Sequence, residues 1–181
     1  MNNLNIIVLD RDGVINQDSA NYIKNDNEWI PIPGSLEAIA LLNQNNFKVI
    51  IATNQSGIGR GLYSVDTLNL IHQKMHRLLA EMGAKIDAIY FCPHTDEDKC
   101  NCRKPKPGMF LEIEKTYRVD LNNVYGVGDS LRDLEAFAKA NMKMILVKTG
   151  NGQKLFKSKK FPKKTKVFKD LSEAVNFIIK S

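Results

Sequence analysis

Apolar residues along this chain fall into short unbroken runs, separated by stretches where they recur every three or four positions. The runs near 5–9, 48–52, 86–91, 123–127 and 143–147, with a shorter one at 166–168, predict strands. The stretches 36–45, 65–82, 107–117, 131–140 and 171–179 carry helical spacing. Within 65–82, Met75, Leu78, Leu79 and Met82 recur on one face and are expected in the core. Ser35 and Ser64 stand where N-caps belong, and Pro107 suits a first helical turn. Ser130-Leu-Arg-Asp133 matches a capping-box variant. Strands without a polar face, alternating with helices, predict an α/β fold: a three-layer, doubly wound parallel sheet covered on both sides. Residues 1–181 are expected to form a single domain. Two stretches lack either pattern. One is 14–34, with Tyr22, Trp29, Pro31 and Pro33; the other is 92–106.

Composition changes this picture little. No apolar stretch approaches the roughly 20 residues of a membrane span, and the N-terminus enters a strand without a signal-peptide pattern. A cytoplasmic, monomeric protein without membrane contact is expected. The net charge of +6 is local: eight lysines and no acid lie between Lys154 and Lys169, and the rest of the chain carries −2. Such a run can bind nucleic acid, but it lacks interleaved aromatics and is expected as a solvated surface.

The chemistry begins at the strand ends. Ile6-Ile7-Val8-Leu9 runs into Asp10-Arg11-Asp12-Gly13. In extended chain, residues i and i+2 face one side, so Asp10 and Asp12 can address one centre. Two close anions repel, and a divalent cation such as Mg2+ would relieve them; the alternative is a surface turn. Val49-Ile50-Ile51-Ala52 ends in Thr53-Asn54-Gln55-Ser56-Gly57. Val124 to Gly128 ends in Asp129, and between them lies Arg103-Lys104-Pro105.

All three cysteines fall in the eleven residues from Cys92 to Cys102, with His94 among them. Cys92, His94, Cys100 and Cys102 suit a tetrahedral Zn2+ site with no open position, hence a structural one. Unliganded thiols are the alternative; a disulfide would leave one cysteine over. Zinc here would pin the loop that delivers Lys104. His72 and His76, four apart, could also bind metal. Gln73 stands where a zincin carries glutamate, and no third ligand is near, so both are expected as exposed or helix-packing residues.

In chain order, Asp10-x-Asp12, Thr53-Asn54, Lys104 and Asp129 resemble the four motifs of the haloacid dehalogenase (HAD) superfamily of phosphotransferases. The resemblance implies a HAD-like Rossmannoid fold, capless, with a small hairpin flap at about 14–34 and a zinc loop at 92–106. It also implies that Asp10 is the nucleophile and Asp12 the general acid and base. Mg2+ would be held by Asp10, Asp129 and the backbone carbonyl of Asp12. Thr53, Asn54 and Lys104 would bind the phosphoryl group. Asp133 would cap its helix or assist Mg2+ through a water.

Leu9-Asp-Arg-Asp-Gly-Val14, Thr53 to Gly61, Cys92-Pro-His94 and Cys100 to Met109 are similar to the D-glycero-D-manno-heptose 1,7-bisphosphate 7-phosphatases of surface-glycan synthesis. That likeness turns Arg103 toward the phosphate that is not cleaved, and makes a phosphorylated sugar the expected partner. Ser130, in place of a lysine, and the flap run Asp18 to Ile23 depart from the pattern. Histidinol-phosphate phosphatases share the zinc spacing. Polynucleotide 3′-phosphatases share the Thr-Asn-Gln segment and Arg-Lys-Pro. Both remain alternatives.

Overall fold

A computed structural model describes residues 4–181. Six strands form one sheet: β1 (Ile6–Leu9), β2 (Lys48–Asn54), β3 (Ala88–Cys92), β4 (Tyr125–Gly128), β5 (Lys143–Val147) and β6 (Lys166–Phe168). Their order is β3-β2-β1-β4-β5-β6, and every neighbouring pair is parallel. Seven helices connect them: α1 (Ser35–Gln44), α2 (Ser56–Gly59), α3 (Val65–Glu81), α4 (Gly108–Tyr117), α5 (Leu131–Lys139), α6 (Gly152–Ser158) and α7 (Leu171–Ile178). The predicted strands and five longer helices are all present.

Alternation along the strands builds two cores. Ile7, Leu9, Val49 and Ile51 point to one face, where α1, α3 and α7 cover them. Ile6, Val8, Ile50 and Ala52 point to the other, against α4 and α5, where Phe110 and Phe137 meet at 5.2 Å between ring centroids. Burying one such side chain contributes ~1.5–3 kcal/mol, so truncation on either face strains the same sheet.

Several local expectations need correction. Helices α2 and α6 carry no periodic signal. The first has two glycines in four residues; the second is lysine-rich with little apolar pattern. Ser35 does not cap α1. Gly34 occupies that place at φ 83°, and the Ser35 hydroxyl donates to the Ile15 carbonyl at 2.6 Å, tying the flap to the helix. Pro107 sits one residue before α4. Met82 is 42 % exposed because α3 ends before it. Ser64 caps α3 as expected, accepting from the Thr67 N–H. Residues 14–34 form no strand pair, only isolated bridges from Asn16 to Asp12 and Pro31. Buried Trp29 anchors the segment, and the Lys74 ammonium holds the Asp26 and Trp29 carbonyls.

Strand β1 lies between β2 and β4, where the chain order reverses direction across the sheet. Open parallel sheets bind ligands at such a switch point, beyond the carboxyl ends of their strands. Asp10, Thr53 and Asp129 all stand there.

Candidate active site

The strand ends floor a cavity of about 320 Å3, with Arg60, Arg103 and Arg132 among its outer walls. Lys104 reaches the floor from the loop before α4. Its ammonium lies 3.0 Å from Asp10 Oδ1 and 2.7 Å from Asp133 Oδ1, and donates to the Ala52 carbonyl at 2.8 Å. Two carboxylates and one backbone carbonyl thus surround the ammonium. Burial alone would lower the Lys104 pKa, but the charges of Asp10 and Asp133 raise it above the ordinary value. Asp133 serves two partners: Oδ1 holds Lys104, and Oδ2 accepts the Ser130 N–H at 3.0 Å to cap α5. Burial would raise its pKa; Lys104 and Ser130 bring it below the usual carboxylate value.

Asp10 and Asp129 face the opposite balance. Burial, then the Asp133 charge, pushes Asp10 well above the carboxylate range against the pull of Lys104. Burial and Asp133 push Asp129 up to about 7. Ligand oxygens of Asp10, Asp129 and Asp133 lie within 4.8 Å of one another. Asp129 Oδ2 accepts the Asn151 N–H at 2.7 Å, and Asp10 Oδ1 accepts the Arg11 N–H at 2.7 Å. Asp10 Oδ2 and Asp129 Oδ1 are left without hydrogen bonds among the described residues. Buried, crowded carboxylate oxygens with open lone pairs are the donor set of a hard divalent cation, so the residues fit Mg2+. Gly13, at φ 82°, permits this crowding: a Cβ there would lie 2.1 Å from Asp129 Oδ2.

Asp12 is held from three sides. Arg11 Nε and Nη2 reach Oδ1 at 3.1 and 3.0 Å, and Nη2 also reaches Oδ2 at 3.0 Å. Asn16 donates to Oδ1 at 2.8 Å and Gln55 to Oδ2 at 3.0 Å. Arg11 is fully buried, and its Nη1 meets His72 Nε2 at 3.2 Å. The sequence assigned no role in the site to Arg11, Gln55 or His72, the last being expected as an exposed or helix-packing residue. A buried partner far away in the chain leaves no local signal; an arginine between the two aspartates was the one hint available.

The Thr53 hydroxyl borders the cavity and accepts from Gln55 at 2.8 Å. The Asn54 side chain is spent on the loop: its amide donates to the Lys104 carbonyl and its oxygen accepts the Lys104 N–H, each at 3.0 Å. Arg103 lies against the exposed Asp96, with Nε to Oδ1 at 2.8 Å.

Cys92, His94, Cys100 and Cys102 also converge. The Cys92, Cys100 and Cys102 sulfurs lie 3.1–3.6 Å apart, and His94 Nδ1 is 3.3 Å from the Cys102 sulfur. Zn–S bonds of about 2.3 Å in a tetrahedron place ligands roughly 3.7 Å apart, so the quartet fits Zn2+ and no disulfide. Gly108 lets α4 start against this loop, since a Cβ would lie 2.3 Å from the Asn101 carbonyl oxygen. The other histidine pair divides: His76 is exposed, while His72 is buried beside Arg11. All eight lysines of 154–169 are exposed, and no helix among the described residues is long and apolar enough to cross a membrane.

Comparison with known proteins places this geometry. The profile of the haloacid dehalogenase-like hydrolases matches residues 5–141. The D-glycero-beta-D-manno-heptose-1,7-bisphosphate 7-phosphatase of Bordetella bronchiseptica is 54% identical over 169 residues, covering 93% of this chain and 94% of its own. The Pseudomonas aeruginosa protein of that name is 47% identical over 174 residues, covering 96% and 97%. The crystal structure of the B. bronchiseptica D,D-heptose 1,7-bisphosphate phosphatase, complexed with magnesium and phosphate, superposes with a TM-score of 0.96 at 51% identity over 98% of this chain and 99% of that one. The chain therefore belongs to the haloacid dehalogenase-like hydrolase family, as one of its phosphoric monoester hydrolases.

Proposed function

We propose that the protein is a Mg2+-dependent phosphatase that removes the 7-phosphate of D-glycero-D-manno-heptose 1,7-bisphosphate, through an aspartyl-phosphate on Asp10. The reading places it in the cytoplasm, as a monomer serving nucleotide-activated heptose synthesis for lipopolysaccharide or other surface glycans. One observation carries the chemistry: Asp10, Asp12, Lys104 and Asp129 meet on the floor of one cavity whose wall holds three arginines. The near full-length likeness to phosphatases named for this bisphosphate carries the substrate.

In this reading one carboxylate oxygen of Asp10 attacks the phosphorus while Asp12 delivers a proton to the departing sugar oxygen. Asp12 then takes a proton from water as the water's oxygen attacks the aspartyl-phosphate, releasing phosphate and restoring both carboxyl groups. Lys104 balances the charge of Asp10 and of the phosphoryl oxygens, and the Thr53 hydroxyl and the Asn54 backbone N–H, rather than its committed side chain, donate to those oxygens. Asp10, Asp129 and the Asp12 backbone carbonyl would hold Mg2+, which would supply positive charge against the transferring group. Cys92, His94, Cys100 and Cys102 would hold Zn2+, which would fix the loop bearing Arg103 and Lys104. Arg103 binds the phosphate that stays.

Phosphate release should be measured with both anomers of the heptose bisphosphate, histidinol phosphate and a 3′-phosphorylated oligonucleotide. A heptose bisphosphate anomer is expected to give the highest kcat/KM, and Asp10→Asn to lower turnover by several orders of magnitude. A higher kcat/KM on either other substrate overturns the substrate assignment. Near-native turnover in Asp10→Asn overturns the mechanism.

A further inference from the structure

We infer that His72 is a positioning residue for the proton-transferring carboxylate: its imidazole accepts from Arg11 and so fixes the guanidinium on which Asp12 is oriented. The inference rests on the reading of Asp12 as general acid and base.

The chain of contacts is continuous. Arg11 Nε and Nη2 fork onto both oxygens of Asp12, Nη2 also reaches Gln55 Oε1 at 3.2 Å, and Nη1 lies 3.2 Å from His72 Nε2. A guanidinium donates and never accepts, so Nε2 must carry the lone pair and Nδ1 the proton. His72 also lines a surface groove shared with Asn69, Gln73 and His76. Burial, then the Arg11 charge, holds the imidazole pKa at about 3, so the ring stays a neutral acceptor at the pH of any ordinary assay.

His72 is therefore a buried ring that presents an acceptor to a cation. A hydrophobic ring would fill the same space but leave Nη1 unpaired and the guanidinium free to turn. Turning would carry Asp12 with it, because Arg11 supplies three of the five donor contacts on that carboxylate. Asp10 lies outside the chain, bound to Lys104 and the Arg11 backbone instead. The effect of losing His72 should fall on proton transfer and spare nucleophilic attack.

Leaving groups separate the two. Phenyl phosphate needs a proton on its departing oxygen; p-nitrophenyl phosphate expels p-nitrophenolate, a stable anion. Since general acid catalysis contributes ~10²–10⁴-fold and His72 acts one contact removed, His72→Leu should lower kcat/KM for phenyl phosphate about 10-fold and change it less than about 2-fold for p-nitrophenyl phosphate. The same variant should release p-nitrophenol in a burst of about one equivalent, because Asp12 also activates water in the second step. His72→Gln, which keeps an acceptor, should recover most of the loss. His72→Met gives a second variant without the ring should His72→Leu fail to fold. Asp12→Asn is run beside them. If Asp12→Asn shows the leaving-group dependence and the His72 variants do not, the inference about His72 is wrong and the reading of Asp12 stands. Equal losses on both phosphates in His72→Leu and His72→Met would reduce His72 to a packing residue. If Asp12→Asn itself shows no such dependence, both fall.

Discussion

Two buried cations flank the carboxylates of the site, and each is held by different geometry. Lys104 is a point charge on a stem, set between Asp10, Asp133 and a backbone carbonyl. Arg11 is a planar fork, spread over Asp12, Gln55 and His72. An ammonium compensates charge without fixing an angle, whereas a guanidinium fixes the plane of the carboxylate it grips. Under the proposed mechanism the two do different work: Lys104 makes Asp10 usable as a nucleophile among other anions, and Arg11 aims the carboxyl group that moves protons.

The strongest way to break this division is to remove Lys104. Lys104→Ala should cost ~10³-fold in kcat/KM on phenyl and p-nitrophenyl phosphate alike. It should also cost ~3–5 kcal/mol in stability, because buried Asp133 loses its partner. Steady-state kinetics and urea unfolding read the two losses, and a leaving-group-dependent effect would refute the assignment. Arg11→Lys keeps the charge and loses the fork. It should cost ~10²-fold on phenyl phosphate and less than about 5-fold on p-nitrophenyl phosphate; equal losses would erase the distinction.

Beyond the two buried cations, Arg103 extends the comparison to the cavity wall. Arg103→Ala should cut kcat/KM for the heptose bisphosphate about 10- to 100-fold and leave p-nitrophenyl phosphate nearly unchanged, since a charged hydrogen bond contributes ~1.5–3 kcal/mol. Equal losses on both would mean that no second phosphate is read there. Elemental analysis should find about one zinc per chain, and Cys100→Ser should lower activity ~10-fold by loosening the loop that carries Lys104. Full activity in zinc-free protein would detach the metal from the chemistry.

The smallest expected effect is on acid stability. His72 is held neutral in the fold with a pKa of about 3, against an ordinary 6.5. Its contribution is present above about pH 6.5 and is lost as pH falls toward 3, because only the unfolded chain takes up the proton. At pH 5 the loss is about 2 kcal/mol. His72→Gln should remove that part of the acid decline in unfolding free energy; an unchanged slope would show a ring that protonates freely.

What the sequence determined by itself is local. Unbroken apolar runs and helical spacing specified the strands, the five longer helices and the parallel α/β architecture, because burial on two faces or one imposes a period on neighbouring residues. The strand-end aspartates and the clustered cysteines were legible for the same reason: each set lies within a few positions of chain. Short pieces without a period, α2 and α6, left no such trace. The partnerships across the chain were decided only by tertiary structure. The pairing of Arg11 with His72 spans 61 positions, and that of Asn54 with the Lys104 backbone spans 50. Two histidines four apart carry the same pattern in sequence, yet only His72 is buried beside a guanidinium while His76 meets solvent. Which side of a helix meets a buried charge depends on how the sheet stacks β1 beside β2 beneath α3, and a long-range packing of that kind has no period to read.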